Sequence, residues 1–485
     1  MAPSAEHRDI PVPPQRTHDH TSQLPDEILE IIIRGTGPCY GTAASSTEFK
    51  EKRNWVSCGS VCRRWHRIAL PHIFRYVRVA PLDLIDTTKD RTASRFNIFL
   101  QENPSIAPLI QEINFLRLRV DFKVLRSILG ALQNLQYFVF HRSLVEGIPN
   151  PKDPPMTFKI HRLLHTGGAC DLYDDCYPSN CRMQVPILLS LFSEIGEFEN
   201  MQSCEHDSEP LFKANHDDEA VRIHSLKIGA FPNSVPYFNI MHQLHLFNHL
   251  SCLRITLLSL LNFSAEATNG FLVAVCGTLK ELYLRITHRI DNSMSDVSIP
   301  TTDFCPQLSA SIASTLRTGL TACSSLHGFR LELGLVHYTS VLDEQSLRRS
   351  LNLGFLIGIE LLKSLNTSEL RHLSFRYQLS FNGHCAPADV RTLDFTRLRY
   401  VLDPFINLRS VTLDFYDGPN ELGATAEFMR CARDELRGFK GALYHRELGS
   451  FLRCDEPSCA WSSHGRLNAF LSLERDVLKS YWAEH

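Results

Sequence analysis

Leu279-Lys-Glu-Leu-Tyr-Leu284 places apolar residues at its first, fourth and sixth positions. The pattern returns as Leu135, Phe138 and Phe140, as Leu250, Leu253 and Ile255, and as Leu326, Phe329 and Leu331. It returns again as Leu370, Leu373 and Phe375, and as Leu408, Val411 and Leu413. Ile113 with Phe115, and Leu226 with Ile228, are weaker members. Apolar residues two apart lie on one side of an extended chain, so each instance reads as a strand with one buried face. A helix-like segment comes before each strand. One such unit cannot bury its apolar face alone, so neighbours are expected to stack on a shared core. The alternative is a series of ordinary strands in an α/β domain.

The intervals are uneven: 29 residues from Leu253 to Leu282, 47 to Phe329, 44 to Leu373 and 38 to Val411. Leucine-rich repeats run about 20–29 residues. This stretch resembles them, in an irregular form with inserted loops. The resemblance implies a target-binding region over residues 77–423, with long loops at 149–219. Pro149, Pro151, Pro154 and Pro155 open the first of those loops, and the acidic run 205–219 continues it. Residues 291–302 read as a further loop. Arg254, Glu281, Arg285 and Arg330 occupy variable positions of the strands and are candidate target contacts.

The N-terminal part carries a different signal. Gln23-Leu-Pro-Asp-Glu-Ile-Leu-Glu-Ile-Ile-Ile33 starts a helix. Pro25 suits the first turn, where its missing N–H costs nothing, and Asp26 and Glu27 favour the positive end of the helix dipole. Leu24, Ile28, Ile31 and Ile32 share one face. Val61-Cys-Arg-Arg-Trp-His-Arg-Ile-Ala69 repeats the arrangement with Val61, Trp65 and Ile68, Cys62 beside them, and Pro71 as the expected stop. Two short amphipathic helices leave apolar surface over, which is most simply a partner-binding face.

These two segments resemble the halves of an F-box. The family joins its halves by a short polar stretch. Here residues 34–54 intervene, rich in glycine and serine, and read as an inserted loop, with a middle helix starting between Glu48 and Trp55. The resemblance implies an adaptor-binding unit over residues 22–76 that docks a Skp-type adaptor and, through it, a cullin-RING ubiquitin ligase. Leu24, Pro25, Ile28, Ile31, Ile32, Val61, Cys62, Trp65 and Ile68 are its candidate contacts. The expected fold class is α+β or α/β: a small helical N-terminal unit followed by an irregular leucine-rich-repeat-like solenoid. Residues 1–21 read as a disordered arm. Residues 424–485 read as a helical C-terminal cap, with an amphipathic helix at 467–482.

Composition bounds the alternatives. A chain of 485 residues predicts two or more domains or one long repeat array, and 44% hydrophobic and 21% charged residues are ordinary for a globular protein. Its formal net charge of −3 argues against a dominant nucleic-acid or anionic-membrane role. No apolar run reaches the ~18 residues of a membrane span. Residues 1–22 have no apolar core of the kind a secretory signal needs, so the 15 cysteines are expected as reduced thiols in the cytoplasm or nucleus.

Chemistry-bearing motifs are sparse. Cys170, Cys176 and Cys181, with His161 and His165 on a supposed helix face, have spacings too wide for a zinc site of tight ligand pairs. Cys454 with Cys459 is a single pair, and His242, His245 and His249 would share one helix face. None is assigned a metal, and no cofactor is expected. Glycine-framed serine, phosphate-loop and dinucleotide motifs are absent. The readings kept open are a recruiting subunit of a ubiquitin ligase, an F-box scaffold outside ubiquitin transfer, and an enzyme with a helical attachment.

Overall fold

The computed structural model describes residues 24–35, 47–81, 91–147, 158–166, 185–201, 221–229, 248–258, 265–290, 314–337, 344–366, 368–380, 387–416, 422–436 and 442–444. The chain divides into two compact units, with the boundary between Arg75 and Tyr76.

Among the described residues the first unit has three helices: α1 (Asp26–Gly35), α2 (Thr47–Gly59) and α3 (Arg63–Arg75). The carbonyl of Pro25 accepts from the amides of Ile28 and Leu29, each at 3.2 Å, and so starts α1. Ile33 packs with Trp55 and Ala69 in a shared core, and Leu29, one turn before it on the same side of α1, is buried as well. Cys58, Trp65, Ile68 and Ile73 pack around this core. The indole N–H of Trp55 donates to the Ile33 carbonyl at 2.8 Å, which satisfies a backbone group near the end of α1.

At the other end, Asp26 accepts from Arg64 at 2.6 Å and from Arg67 at 2.9 Å. The hydrogen bond from Arg64, more than the charge of Arg67, holds the Asp26 carboxyl below the usual carboxylate range. The clamp of α1 on α3 is therefore complete above the ordinary carboxylate pKa and is lost as pH falls through the lowered value.

The middle helix expected to start between Glu48 and Trp55 is α2, which begins at Thr47, so the loop expected over 34–54 gives way to helix from that residue. One expectation is corrected. Pro71 does not stop α3, which runs on to Arg75. Proline removes one backbone donor there, but His72 is buried and Ile73 packs on the core, so side-chain burial holds the last turn in place.

The second unit is a mixed α/β structure. Its strands are β1 (Tyr76–Val79), β2 (Glu112–Leu116), β3 (Arg119–Asp121), β4 (Tyr137–His141), β5 (Leu144–Glu146), β6 (Lys159–Thr166) and β7 (Glu194–Met201). They continue with β8 (Arg222–Ile228), β9 (Cys252–Leu258), β10 (Glu281–Ile290), β11 (Gly328–His337), β12 (His372–Ser380), β13 (Ser410–Tyr416) and β14 (Ala442–Tyr444). Twelve form one sheet in the order β1-β2-β4-β6-β7-β8-β9-β10-β11-β12-β13-β14, and β3 with β5 forms a separate pair. Every pairing is parallel, which selects α/β over α+β.

The register is set by the apolar pattern. Val77, Ile113, Phe138, Leu163, Phe198, Leu226, Leu253, Leu282, Phe329, Leu373, Val411 and Leu443 form one row across the sheet. A second row, two residues on, contains Phe115, Phe140, Ile228, Ile255, Leu284, Leu331, Phe375 and Leu413, all buried. A one-residue slip of any strand would turn both of its apolar positions to the other face, so burial of this face dictates the register.

The second row also contains His165 and Asn200. His165 stacks on Phe140 at 6.0 Å and its Nδ1 lies 2.8 Å from Oδ1 of Asn200. These two polar residues hide the repeat pattern. Residues 149–219, expected as long loops, contain β6, a helical turn at 185–189 and β7. His161 and His165 accordingly lie on a strand, not on a helix face. The expected cap from residue 424 is also revised: β14 carries the sheet past it.

Helices cover the apolar face. Phe355 of the helix Glu344–Lys363 meets Phe375 edge-on at 5.8 Å, and Phe428 of the helix Leu422–Glu435 stacks on Phe415 at 4.9 Å. Gly354 and Gly358, four apart, let the first of these helices approach the strands. A Cβ on Gly354 would stand 2.6 Å from the Tyr377 hydroxyl, and one on Gly358 would overlap the Phe375 ring. Gly358→Val is expected to destabilise this unit by about 2–3 kcal/mol through overpacking, since a β-branched residue gains little helix propensity in return. A urea titration measures it, and an unchanged midpoint would show that the helix can shift outward.

Candidate functional site

Two surfaces collect the candidate residues, one in each unit. In the first unit, Ile28, Ile31 and Ile32 are 42%, 66% and 41% exposed, and Val56 and Val61 are 55% and 59% exposed. Helix α1 is therefore apolar on two sides. Leu29 and Ile33 fill the core, while Ile28, Ile31 and Ile32 face outward. Pro25 and Cys62 are exposed as well, and Leu24 is half-buried. Trp65 and Ile68 stand apart from these, because both lean on the core. Among the described residues the buried indole N–H of Trp65 has no hydrogen-bond partner. A buried donor of this kind costs about 1–3 kcal/mol until something accepts from it.

In the second unit, the residues between the two apolar rows point to the opposite, polar face of the sheet. Arg254, Glu281, Arg285 and Arg330 all lie on it, on β9, β10 and β11. In-register parallel strands bring like positions to about 4.8 Å, so charges of alternating sign pair across them. Arg285, Glu332, Arg376 and Asp414 form such a row. Glu332 is buried and lies 3.3 Å from Arg285, 3.8 Å from Arg330 and 3.8 Å from Arg376, which also reaches Asp414 at 3.2 Å. The Tyr283 hydroxyl donates to Glu332, and the Arg330 guanidinium lies over the Tyr283 ring at 4.9 Å. Burial and then the Glu332 carboxylate push the Tyr283 phenol above its usual range. A second network links Arg162 to Glu197 at 3.3 Å, and both Arg162 and Lys227 to the buried Glu199.

Glu332, Arg376, Tyr283 and Glu199 were missed from sequence. They occupy the same kind of variable position as the arginines that were named. Only the strand register shows that they are neighbours.

Among the described residues, no group of three or more His, Cys, Asp or Glu is placed to hold a metal ion. Cys170, Cys176, Cys181, Cys454, Cys459, His242 and His245, and the helix expected at 467–482, lie outside the described residues. His249 is exposed in a turn. Cys323 is buried among apolar groups, which push its thiol up to about 12, so it is protonated at neutral pH. No described helix is long and apolar enough to cross a membrane.

No protein-family model and no curated protein matches this chain. The class defined by fold is a mixed α/β protein with a large parallel sheet, beside a separate unit of three helices.

Proposed function

We propose that this chain is a non-catalytic substrate-recognition subunit of a Skp-cullin-F-box type ubiquitin ligase. The observation that carries the reading is the outward apolar face of α1. Ile28, Ile31 and Ile32, with Val61 beside α3, leave large side chains in water on a unit whose core is already filled by Leu29, Ile33, Trp55 and Ala69. Apolar surface of this kind is costly unless a partner covers it. The Leu-Pro-Asp-Glu-Ile-Leu and Val-Cys-Arg-Arg-Trp segments supply the resemblance that names a Skp-type adaptor as that partner.

The second unit is read as an irregular leucine-rich-repeat-like solenoid that holds a target protein. The sequential, all-parallel strand order and the two continuous apolar rows support this reading. Its polar face, with Arg254, Glu281, Arg285 and Arg330, is the proposed target surface. The mechanism is proximity: a bound target's lysine is held near activated ubiquitin, so its effective concentration rises without chemistry by this chain. The place of action is the cytoplasm, the nucleus or both.

The test is capture of a purified Skp-type adaptor by the full chain and by the Ile31→Asp/Val61→Asp variant. Two exposed contacts worth about 2 kcal/mol each in the complex predict a loss of affinity of about a thousandfold, with an unchanged helix signal in circular dichroism. A well-folded parent that captures no adaptor would sink the proposal. Ubiquitin transfer to a bound target in the reconstituted ligase separates a recruiting subunit from an F-box scaffold of another kind.

A further inference from the structure

Several arginines of the sheet unit have their charge answered by a carboxylate close by. Arg162, Arg285, Arg330 and Arg376 each have a carboxylate within 4.0 Å. Arg78, Arg117 and Arg142 gather at the β1-β2-β4 end of the same sheet, and among the described residues no carboxylate pairs with them.

Their placement follows from the fold. Arg78 on β1 is in register with Asn114 on β2, which is in register with Val139 on β4. Arg117 and Arg142 each follow the last residue of a strand, β2 and β4. Both adopt the same left-handed conformation, φ 54° and 47°, and their amides donate to the His141 and Thr166 carbonyls at 3.0 and 2.7 Å. All three guanidiniums act on His141. Burial first, and then the charges of Arg142, Arg117, Arg78 and His165, pull its imidazole down to about 4.

Two buried atoms here also lack partners. Nε of Arg78 is a buried donor that has no acceptor among the described residues. Asn114 is 9% exposed; its amide nitrogen donates to the Tyr76 hydroxyl at 3.2 Å while its Oδ1 is unpartnered. The two ends of an asparagine amide are interchangeable in assignment. A flipped amide would accept from the Tyr76 hydroxyl and present its N–H groups beside Arg78. In that assignment the Asn114 amide joins Arg78 Nε as a second buried donor, and since buried donors are normally satisfied, the pair calls for an acceptor.

We infer that Arg78, Arg117 and Arg142, with Asn114 between the strands, form a binding site for a phosphate-bearing ligand. Guanidinium forks pair with phosphate oxygens bidentately, and three of them suit more than one negative charge. The site lies within the second unit, and the inference does not rest on the adaptor reading.

The left-handed positions make a clean test possible. Asparagine adopts that conformation more readily than arginine, so the Arg117→Asn/Arg142→Asn variant is expected to fold at least as well as the parent. Calorimetric titration of the full chain with inorganic pyrophosphate, at constant ionic strength set with chloride, is expected to show saturable binding. The variant is expected to bind about a hundredfold more weakly, roughly tenfold per guanidinium. Arg78→Gln, which leaves both turns untouched, is expected to weaken binding about tenfold by the same measure. Absence of saturable binding by the parent overturns the inference, and so does equal binding by the folded double variant. A parallel titration with O-phosphoserine sorts the source: tighter capture than pyrophosphate marks a phosphorylated side chain, weaker capture a free polyphosphate.

Discussion

Glu332→Ala is expected to destabilise the sheet unit by about 3 kcal/mol, as a lower urea midpoint followed by far-UV circular dichroism. The reason is an imbalance of charge. Glu332 is 4% exposed and is the shared partner of Arg285, Arg330 and Arg376. Removing it leaves Arg376, itself buried, with Asp414 alone, and leaves the Tyr283 hydroxyl without its acceptor. Breaking a buried charge network by deleting one member costs about 3–5 kcal/mol. The lower end applies here, because the Arg285 and Arg330 side chains are 25% and 42% exposed and water can take over part of their solvation. A double-mutant cycle with Arg376→Ala would isolate the coupling between the two residues. A loss below about 1 kcal/mol would mean that the carboxylate is effectively solvated.

Trp55→Ala is expected to unfold the three-helix unit while the sheet unit keeps its structure. Truncating a buried tryptophan costs about 3–5 kcal/mol. Here the same change deletes the hydrogen bond from the indole N–H to the Ile33 carbonyl. Among the described residues the unit buries Leu29, Ile33, Trp55 and Ala69 as its apolar core, too few to absorb such a loss. Limited proteolysis should cut within residues 24–75 of the variant and leave the corresponding segment of the parent intact. Adaptor capture should disappear with the fold, whereas Ile31→Asp/Val61→Asp should abolish capture with the fold intact. Resistance of Trp55→Ala to the protease would show that the unit draws its stability from elsewhere.

The contrast between those two variants shows where sequence reading ran out on α1. The helix and its start were legible in Pro25, Asp26 and Glu27. The grouping of Leu24, Ile28, Ile31 and Ile32 as one face was legible too, and three of these four isoleucine and leucine positions lie outward. What spacing could not show is that Trp65 and Ile68 lean on the core while Val61 and Cys62 do not. That depends on how α3 docks against α2, which a helical period leaves open. The passage of α3 through Pro71 has the same origin. Local preference predicts a stop, and burial of His72 together with the packing of Ile73 overrides it.

In the sheet unit, six apolar triplets were read from sequence and land on β4 and on β9 through β13. β6 and β7 were missed because His165 and Asn200 stand where the pattern demands an apolar residue. A hydrogen bond between the two satisfies them in the core, and no one-residue reading anticipates a partner 35 positions away.

The sequence by itself therefore determined which residues turn inward, because apolar side chains at strand spacing must leave water whatever lies beside them. Tertiary structure alone decided the chemistry of the polar face. Arg285 lies 47 residues from Glu332, and Arg78 lies 39 and 64 residues from Arg117 and Arg142, and only the parallel register sets how close those charges come.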